Sequence, residues 1–390
     1  MRKNPLLSPG GTAGLAAVAL LGALLLAACG GGGSPSASSS YAMGRISGFG
    51  SVVVNGVHYD ESSAAVDDED GQSGSASGLG LGMVVEVDAS SVSQSSGVST
   101  ASATHVRTIS LMKGPVDSVD TSSLVVLGQT VMVTPTTVFD DMLAGGLTNL
   151  TAGSVVKVYG TLDTTTAPPT YTASRIELKP TALFFALRGV VANVDMMAKT
   201  LTIGSAVIDV SSAPLPTGLA AGSLVRVKLL TTQANGMWVA ESVKSGVMRP
   251  HDSDHAEVEG MITAFTSTKA FSVDGVPVDA SGASFPDGET GIVMGARVEV
   301  EGATVNGTLV ATKVELKTEQ KDAANGFEVD GSVSAIIDAS TFTVHGVNVS
   351  YDSSTVITGG TLMVGSRVEV HGVLAADGVT VKASTIRIKS

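Results

Sequence analysis

The sequence predicts an all-β chain: a tandem array of five small five-stranded barrels after an N-terminal targeting segment. Three observations predict this. A glycine followed by an apolar–charged alternation recurs as Gly82-Met-Val-Val-Glu-Val, Gly153-Ser-Val-Val-Lys-Val, Gly222-Ser-Leu-Val-Arg-Val, Gly295-Ala-Arg-Val-Glu-Val and Gly365-Ser-Arg-Val-Glu-Val, at spacings of 71, 69, 73 and 70 residues. A fixed long period marks an array of like modules. Within each copy the apolar residues alternate with period two, as in Val298-Glu-Val300-Glu and Val368-Glu-Val370-His, which is the pattern of a half-buried strand. Short turn dipeptides stand between alternating runs: Asn55-Gly56, Asp274-Gly275 and His345-Gly346. Glycine and asparagine meet the positive φ of a tight hairpin cheaply.

The elements follow in order. Residues 1–28 read as a signal peptide, with Arg2 and Lys3 ahead of an apolar run from Gly14 to Ala28 that is short for a membrane span. Residues 29–42 form a Gly/Ser tether beginning at Cys29. The copies span 43–110, 111–179, 184–245, 255–317 and 327–390, with polar linkers at 246–254 and 318–326. Each opens on a glycine, read as Gly48, Gly114, Gly189, Gly260 and Gly331, and closes on an alanine, at Ala103, Ala173, Ala240, Ala311 and Ala383. Copies two and three carry Leu127-Gly128 and Gly204-Ser205 at the turn, so their turns are expected to differ. Three strands, a long connection and a two-stranded hairpin give the layout of a small OB-like barrel. The connections hold glycine and proline (Pro214, Pro216, Pro286) and are poor helix formers. Such copies are expected to fold as separate domains, since closed barrels bury their own interiors.

Composition limits the function. The chain carries 23 Lys+Arg against 36 Asp+Glu, a net charge of −13, which argues against general nucleic-acid binding, since that requires a basic footprint. Aromatic residues make up 4% of the chain, with one Trp, too few for broad stacking platforms.

Candidate chemistry is sparse. His251-Asp-Ser-Asp-His255 is the densest group of metal-ligand types, and His251, Asp254 and His255 are weak metal candidates. On a helix the two histidines would share a face, but Pro250 precedes them and a flexible linker is the expectation. Asp67-Asp-Glu-Asp70 lacks calcium-loop spacing and reads as a disordered acidic loop. Glu299 and Glu301 fall on one strand face, read as solvated, with Arg226 and Lys228 in their place in copy three. Phe271 aligns with Val52, Leu124, Leu201 and Phe342, a core position rather than a stacking site. Gly78-Leu-Gly-Leu-Gly82 is low complexity, and the sequence has no Gly-x-Ser-x-Gly, His-Glu-x-x-His or P-loop motif.

Two resemblances add to this reading. Leu26-Ala27-Ala28-Cys29, holding the only cysteine of the chain, resembles a bacterial lipobox. That implies cleavage before Cys29, its lipidation, and, with Gly30 rather than Asp following, an outer-membrane address. The copies resemble the bacterial domain of unknown function 5666, through the opening glycine, Asp274-Gly275, Gly295…Val298-Glu-Val-Glu-Gly302 and Ala311-Thr-Lys-Val-Glu-Leu. Copies one, four and five carry the pattern best, and copies two and three are degenerate, with Lys157 and Arg226 where Glu86, Glu299 and Glu369 stand. The family implies envelope location and an OB-like fold and assigns no activity. The expectation is a non-enzymatic binding module without cofactors, held at the membrane by its N-terminal lipid, with an envelope protein or glycan as partner and no nucleic acid. A structural spacer is the second reading and an enzyme of unrecognised type the third.

Overall fold

Copy four shows how each alternating run closes on itself. Its long first strand, Ser253–Ser267, pairs antiparallel with Ala270–Val273 through one half and with Arg297–Val305 through the other. Val276–Asp279 pairs back on Ala270–Val273 and lies parallel to Thr308–Leu316, which closes the ring on Arg297–Val305. In copy numbering the order is 1-2-3-5-4-1. The same closure recurs in the other four copies, through the parallel contacts Val57–Ser99, Val131–Tyr171, Ile208–Trp238 and Val349–Val381. Five closed OB-like barrels result. The computed structural model describes residues 39–318 and 326–389, so Cys29 and residues 319–325 of the 318–326 linker lie outside the described residues. Among those described, the only helical turns are three short 3-10 segments, at Ala76–Gly78, Asp141–Leu143 and Gly146–Asn149.

The inward-facing positions are apolar as the alternation requires. Val52, Leu124, Leu201, Phe271 and Phe342 are all at most 5% exposed, so the shared position is core.

Each opening glycine answers to the residue at the first hairpin turn. A Cβ on Gly260 would overlap the Asp274 side chain, and one on Gly331 would overlap His345. Leu127 stands in the same relation to Gly114, whereas in copy three, whose turn position is Gly204, Gly189 meets Ile203 at the end of the preceding strand. In copy one the glycine in this relation is Gly44, which faces Asn55, and not Gly48. Gly48 serves another purpose: a Cβ there would meet the Glu328 carbonyl of copy five at 2.8 Å. The turn of copy two does not differ as expected. Leu127 takes φ 51° and Gly128 φ 71°, matching Asn55 and Gly56 at 51° and 79°. The left-handed conformation is costly for leucine, and its fully buried side chain offsets that cost. Copy three departs from the others, with Gly204 at φ 55° and Ser205 without a positive φ.

The copies are not independent beads. Residues 37–390 form one compact unit. The first strand of copy one begins at Ser39, so residues 39–42, assigned by composition to the tether, are strand. This strand runs parallel to the first strand of copy four, with Ser40 opposite His255 and Met43 opposite Val258. Its far end pairs with copy five, Gly48 with Glu328 and Phe49 with Val329. The first strands of copies two and three also pair, but antiparallel, Lys113 with Ala186 and Met112 with Leu187. A barrel removes the edges of its own ring, but these first strands extend past the ring, and a neighbouring copy satisfies their free edges. Hydrophobic packing follows: Tyr41 and Met43 of copy one belong to the core of copy four, and Phe327 and Val381 of copy five to that of copy one. An isolated 255–318 fragment, deprived of Tyr41 and Met43, is therefore expected to melt well below the full chain. Equal melting temperatures by calorimetry would restore the independent-bead description.

Candidate functional site

The fourth strand of each barrel carries a charged residue flanked across the sheet by two partners. These rows read Met43/Glu86/Arg107, Lys113/Lys157/Glu177, Arg188/Arg226/Lys244, Glu259/Glu299/Glu315 and Asp330/Glu369/Arg387. Copy three is wholly cationic and copy four wholly anionic. Like charges directly opposite one another destabilise a sheet, so the rows of copies two to five need counter-charges from elsewhere.

For copies two and three the counter-charge is the acidic segment of copy one. It is not a disordered loop: Ala65–Asp68 is a strand parallel to Val98–Thr108. Asp68 binds Lys157 at 3.3 Å, Glu69 binds Arg188 at 3.2 Å and Arg226 at 2.9 Å, and Asp70 binds Arg226 at 2.7 Å. The Ser110 N–H donates to Glu69 as well. Arg188 also donates to the carbonyls of Gly246 and Asp274, joining copies one, three and four. Burial opposes the charge on Arg226, but Glu69 and Asp70 outweigh it and push its pKa up. Burial likewise opposes ionisation of Asp70, and Arg226, Lys113 and Lys157 together hold its carboxyl below the ordinary value. These are structural ion pairs, although perturbed groups of this kind also mark active sites. Arg226→Ala leaves Asp70 without its ion-pair partner and Glu69 with Arg188 alone, and should cost about 3 kcal/mol, read as a lowered denaturation midpoint. Because the pKa of Asp70 is lowered in the fold, its contribution is present above the ordinary carboxylate value and lost as pH falls through the lowered one. The gap between wild type and variant should accordingly narrow in strong acid.

Several cavities lie at junctions between copies. A cleft of about 270 Å³ opens among copies one, two and four, lined by Arg45, Thr134, Thr136, Thr161, Glu259 and Arg297 among others. A second cavity, of about 730 Å³, lies between copies one and four. On its wall are Glu257, Glu299 and Glu301, one carboxylate oxygen of each falling within 4.8 Å of the others. Glu299 is 9% exposed, which corrects the solvated face expected for the Glu299/Glu301 pair. The two do share one face, Glu301 opposite Glu257 and Glu299 opposite Glu259. Burial, reinforced by Glu299 and Glu301, raises the carboxyl of Glu257 to about 9. Burial also raises Glu299, against the pull of Lys317 at 2.7 Å.

The histidine cluster is neither a helix nor wholly a linker. The first strand of copy four starts at Ser253, so Asp254 and His255 are adjacent strand residues, and His255 pairs in register with Ser40. The carbonyl of His251 accepts a hydrogen bond from the Thr304 hydroxyl. Among the described residues, neither group of clustered metal-ligand side chains includes His251, Asp254 or His255. The second group is Glu328, Glu369 and His371 in copy five, where Glu369 already binds Arg387 at 2.7 Å and Lys389 at 2.9 Å. Sequence reasoning missed Glu257 and Arg188. The signal available was that Glu257 stands two residues before Glu259, and that Arg188, like Glu259, directly precedes the opening glycine of its copy.

Comparison with known proteins bears on the repeats alone. No curated protein matches the chain. Segments 113–177, 259–315 and 330–387 match the family model described as Domain of unknown function (DUF5666). They correspond to copies two, four and five, so copy two is matched despite Lys157.

Proposed function

We propose that this protein is a lipid-anchored lipoprotein of the outer membrane whose fused barrels act as a non-enzymatic binding scaffold. The observation that carries the binding reading is the cleft among copies one, two and four. It is made by the assembled array and by no single barrel, and its lining mixes threonine hydroxyls with arginine and glutamate. Such a surface suits a polar ligand, an envelope glycan or a peptide segment of an envelope protein. Arg226, Asp70 and Glu177 are held in ion pairs that serve packing between and within copies, which suits a scaffold.

The lipid anchor rests on Leu26-Ala27-Ala28-Cys29. Several acyl chains on one cysteine would give stable anchoring where one would be marginal. Cys29→Ala should abolish metabolic fatty-acid labelling and globomycin-sensitive processing, and unchanged labelling would remove the anchor from the proposal. For the scaffold, Thr161→Trp fills the cleft with an indole on a strand that otherwise keeps its pairing. Pull-downs from native envelopes should capture a component with the wild-type chain and lose it with the variant. Identical capture by both would place binding elsewhere.

A further inference from the structure

Each barrel sets a short element parallel to its closing strand, just past the closing alanine, and the copies treat it in three ways. In copies one and two it is a junction between copies. Ala65–Asp68 runs against His105 to Thr108 in copy one, and this strand with its continuation grips copies two and three. In copy two, Val138 and Phe139 run against Arg175 and Ile176. Val138 packs in the core of copy one, and the Phe139 N–H donates to the Gly378 carbonyl of copy five at 2.7 Å. Copies three and four instead close the element off. Copy three places Pro214 and Pro216 there, the Pro214 carbonyl accepting from the Val243 N–H. Copy four keeps a single bridge, Ser284 to Lys313, and the Lys269 ammonium covers the next residue, Phe285, at 4.2 Å from its ring centre. Proline and lysine are common guards of a free strand edge. Copy five does neither. Its element, Val356–Thr358, pairs with Thr385 to Arg387 along one edge. Among the described residues, no backbone hydrogen bond reaches its other edge. Val356 is 57% exposed and Ile357 39%, where Val138 and Phe139 of copy two are 4% and 6%.

We propose that Val356–Thr358 is an interface for a second copy of this chain, the two strands pairing edge to edge about a twofold axis. The occupant follows from how the molecule uses the same element elsewhere. In copies one and two it seats on other barrels of the same fold. The five barrels of one chain are already placed, so a second chain supplies the next. Charge favours the same occupant. The chain carries a net charge of −13, and two such chains repel over most of their surface. Residues 353–366 hold no charged side chain, whereas the matching connection of copy one holds Glu61, Asp67, Asp68, Glu69 and Asp70. Met363 and Val364, in the same stretch, are 57% and 61% exposed and add apolar area. Antiparallel self-pairing sets Ile357 opposite Ile357 and Val356 opposite Thr358, so no like charges meet across the new ladder. Edge pairing satisfies backbone groups otherwise left to water and removes apolar side chains from it. A twofold contact uses the same patch on both chains and closes at two. This interface is separate from the ligand cleft proposed above.

The test is the mass of the full chain in density-matched detergent, followed by sedimentation equilibrium over a range of concentrations. A reversible monomer–dimer equilibrium is expected. Ile357→Lys sets like charges opposite one another and should weaken the dimer by about tenfold or more. Val305→Lys, at a valine of the copy-four hairpin that is 48% exposed, should leave the equilibrium unchanged. Circular dichroism checks that Ile357→Lys keeps its β content. If it does not, Ile357→Thr, which keeps strand propensity and loses apolar area, must show the weaker association. A wild type that stays monomeric throughout, an Ile357→Lys chain that is folded and dimerises as the wild type does, equal weakening by Val305→Lys, or assembly beyond two chains would each overturn the interface.

Discussion

A buried guanidinium cannot remain in a protein interior without a carboxylate beside it, and that constraint organises this molecule. Arg226 is 5% exposed and Arg188 6%. Both lie on the outer face of the copy-three barrel, a face that an isolated barrel would give to water. They are buried because the strand Ala65–Asp68 and its continuation bring Glu69 and Asp70 from copy one onto that face. Arg188 then reaches onward to the Asp274 carbonyl at the hairpin of copy four. One acidic segment thus fixes copy three against copy one, and through Arg188 fixes both against copy four.

The same constraint explains why the copies diverge where they do. Taken alone, Lys157 and Arg226 look like erosion of a position that is glutamate in copies one, four and five. In contact they are complements, since the acidic segment of copy one meets both of them and a glutamate there would face Asp68 or Asp70 across about 3 Å. Conversely, copies four and five keep acids in their rows and supply lysine or arginine from the closing hairpin, as Lys317 and Lys389 do. A repeat whose outer faces pack on one another cannot keep them identical, because like faces carry like charges. Asymmetry of charge among the copies is the cost of fusing them.

The interior of each barrel was legible in the sequence and the outside was not. Alternation located the strands, and the equivalence of Phe271, Phe342, Val52, Leu124 and Leu201 identified a core position. Those inferences use period and side-chain size, which are local. Gly48 was misassigned as the opening glycine because both Gly44 and Gly48 are dictated by close approach. One accommodates the turn residue of its own copy and the other the backbone of copy five. Glu299 was assigned to water because alternation gives only inside or outside of one barrel, and its outside is covered by other copies. The acidic segment read as disordered because its partners, Arg188 and Arg226, lie more than a hundred residues away. Whatever depends on contacts between copies left no periodic trace.

The proposed binding site of this array lies at a junction between copies. A barrel of this size fills its interior with side chains and has no room for a ligand there. The outward rows of copies one, two and three are occupied by one another, as Arg107 with Glu86 and Lys157 with Asp68 illustrate. Clefts stay open where barrels meet, among them the threonine-lined cleft and the cavity beside Glu257. Both lie beside the first strand of copy one, which pairs with copy four at Ser40–Met43 and with copy five at Gly48 and Phe49. That strand follows directly from the segment that begins at Cys29. Copy one therefore carries the array in two senses: its acidic segment clamps copies two and three, and its first strand seats copies four and five. A change there reaches junctions with all four other copies, whereas the bond from the Phe139 N–H to the Gly378 carbonyl joins copies two and five without it.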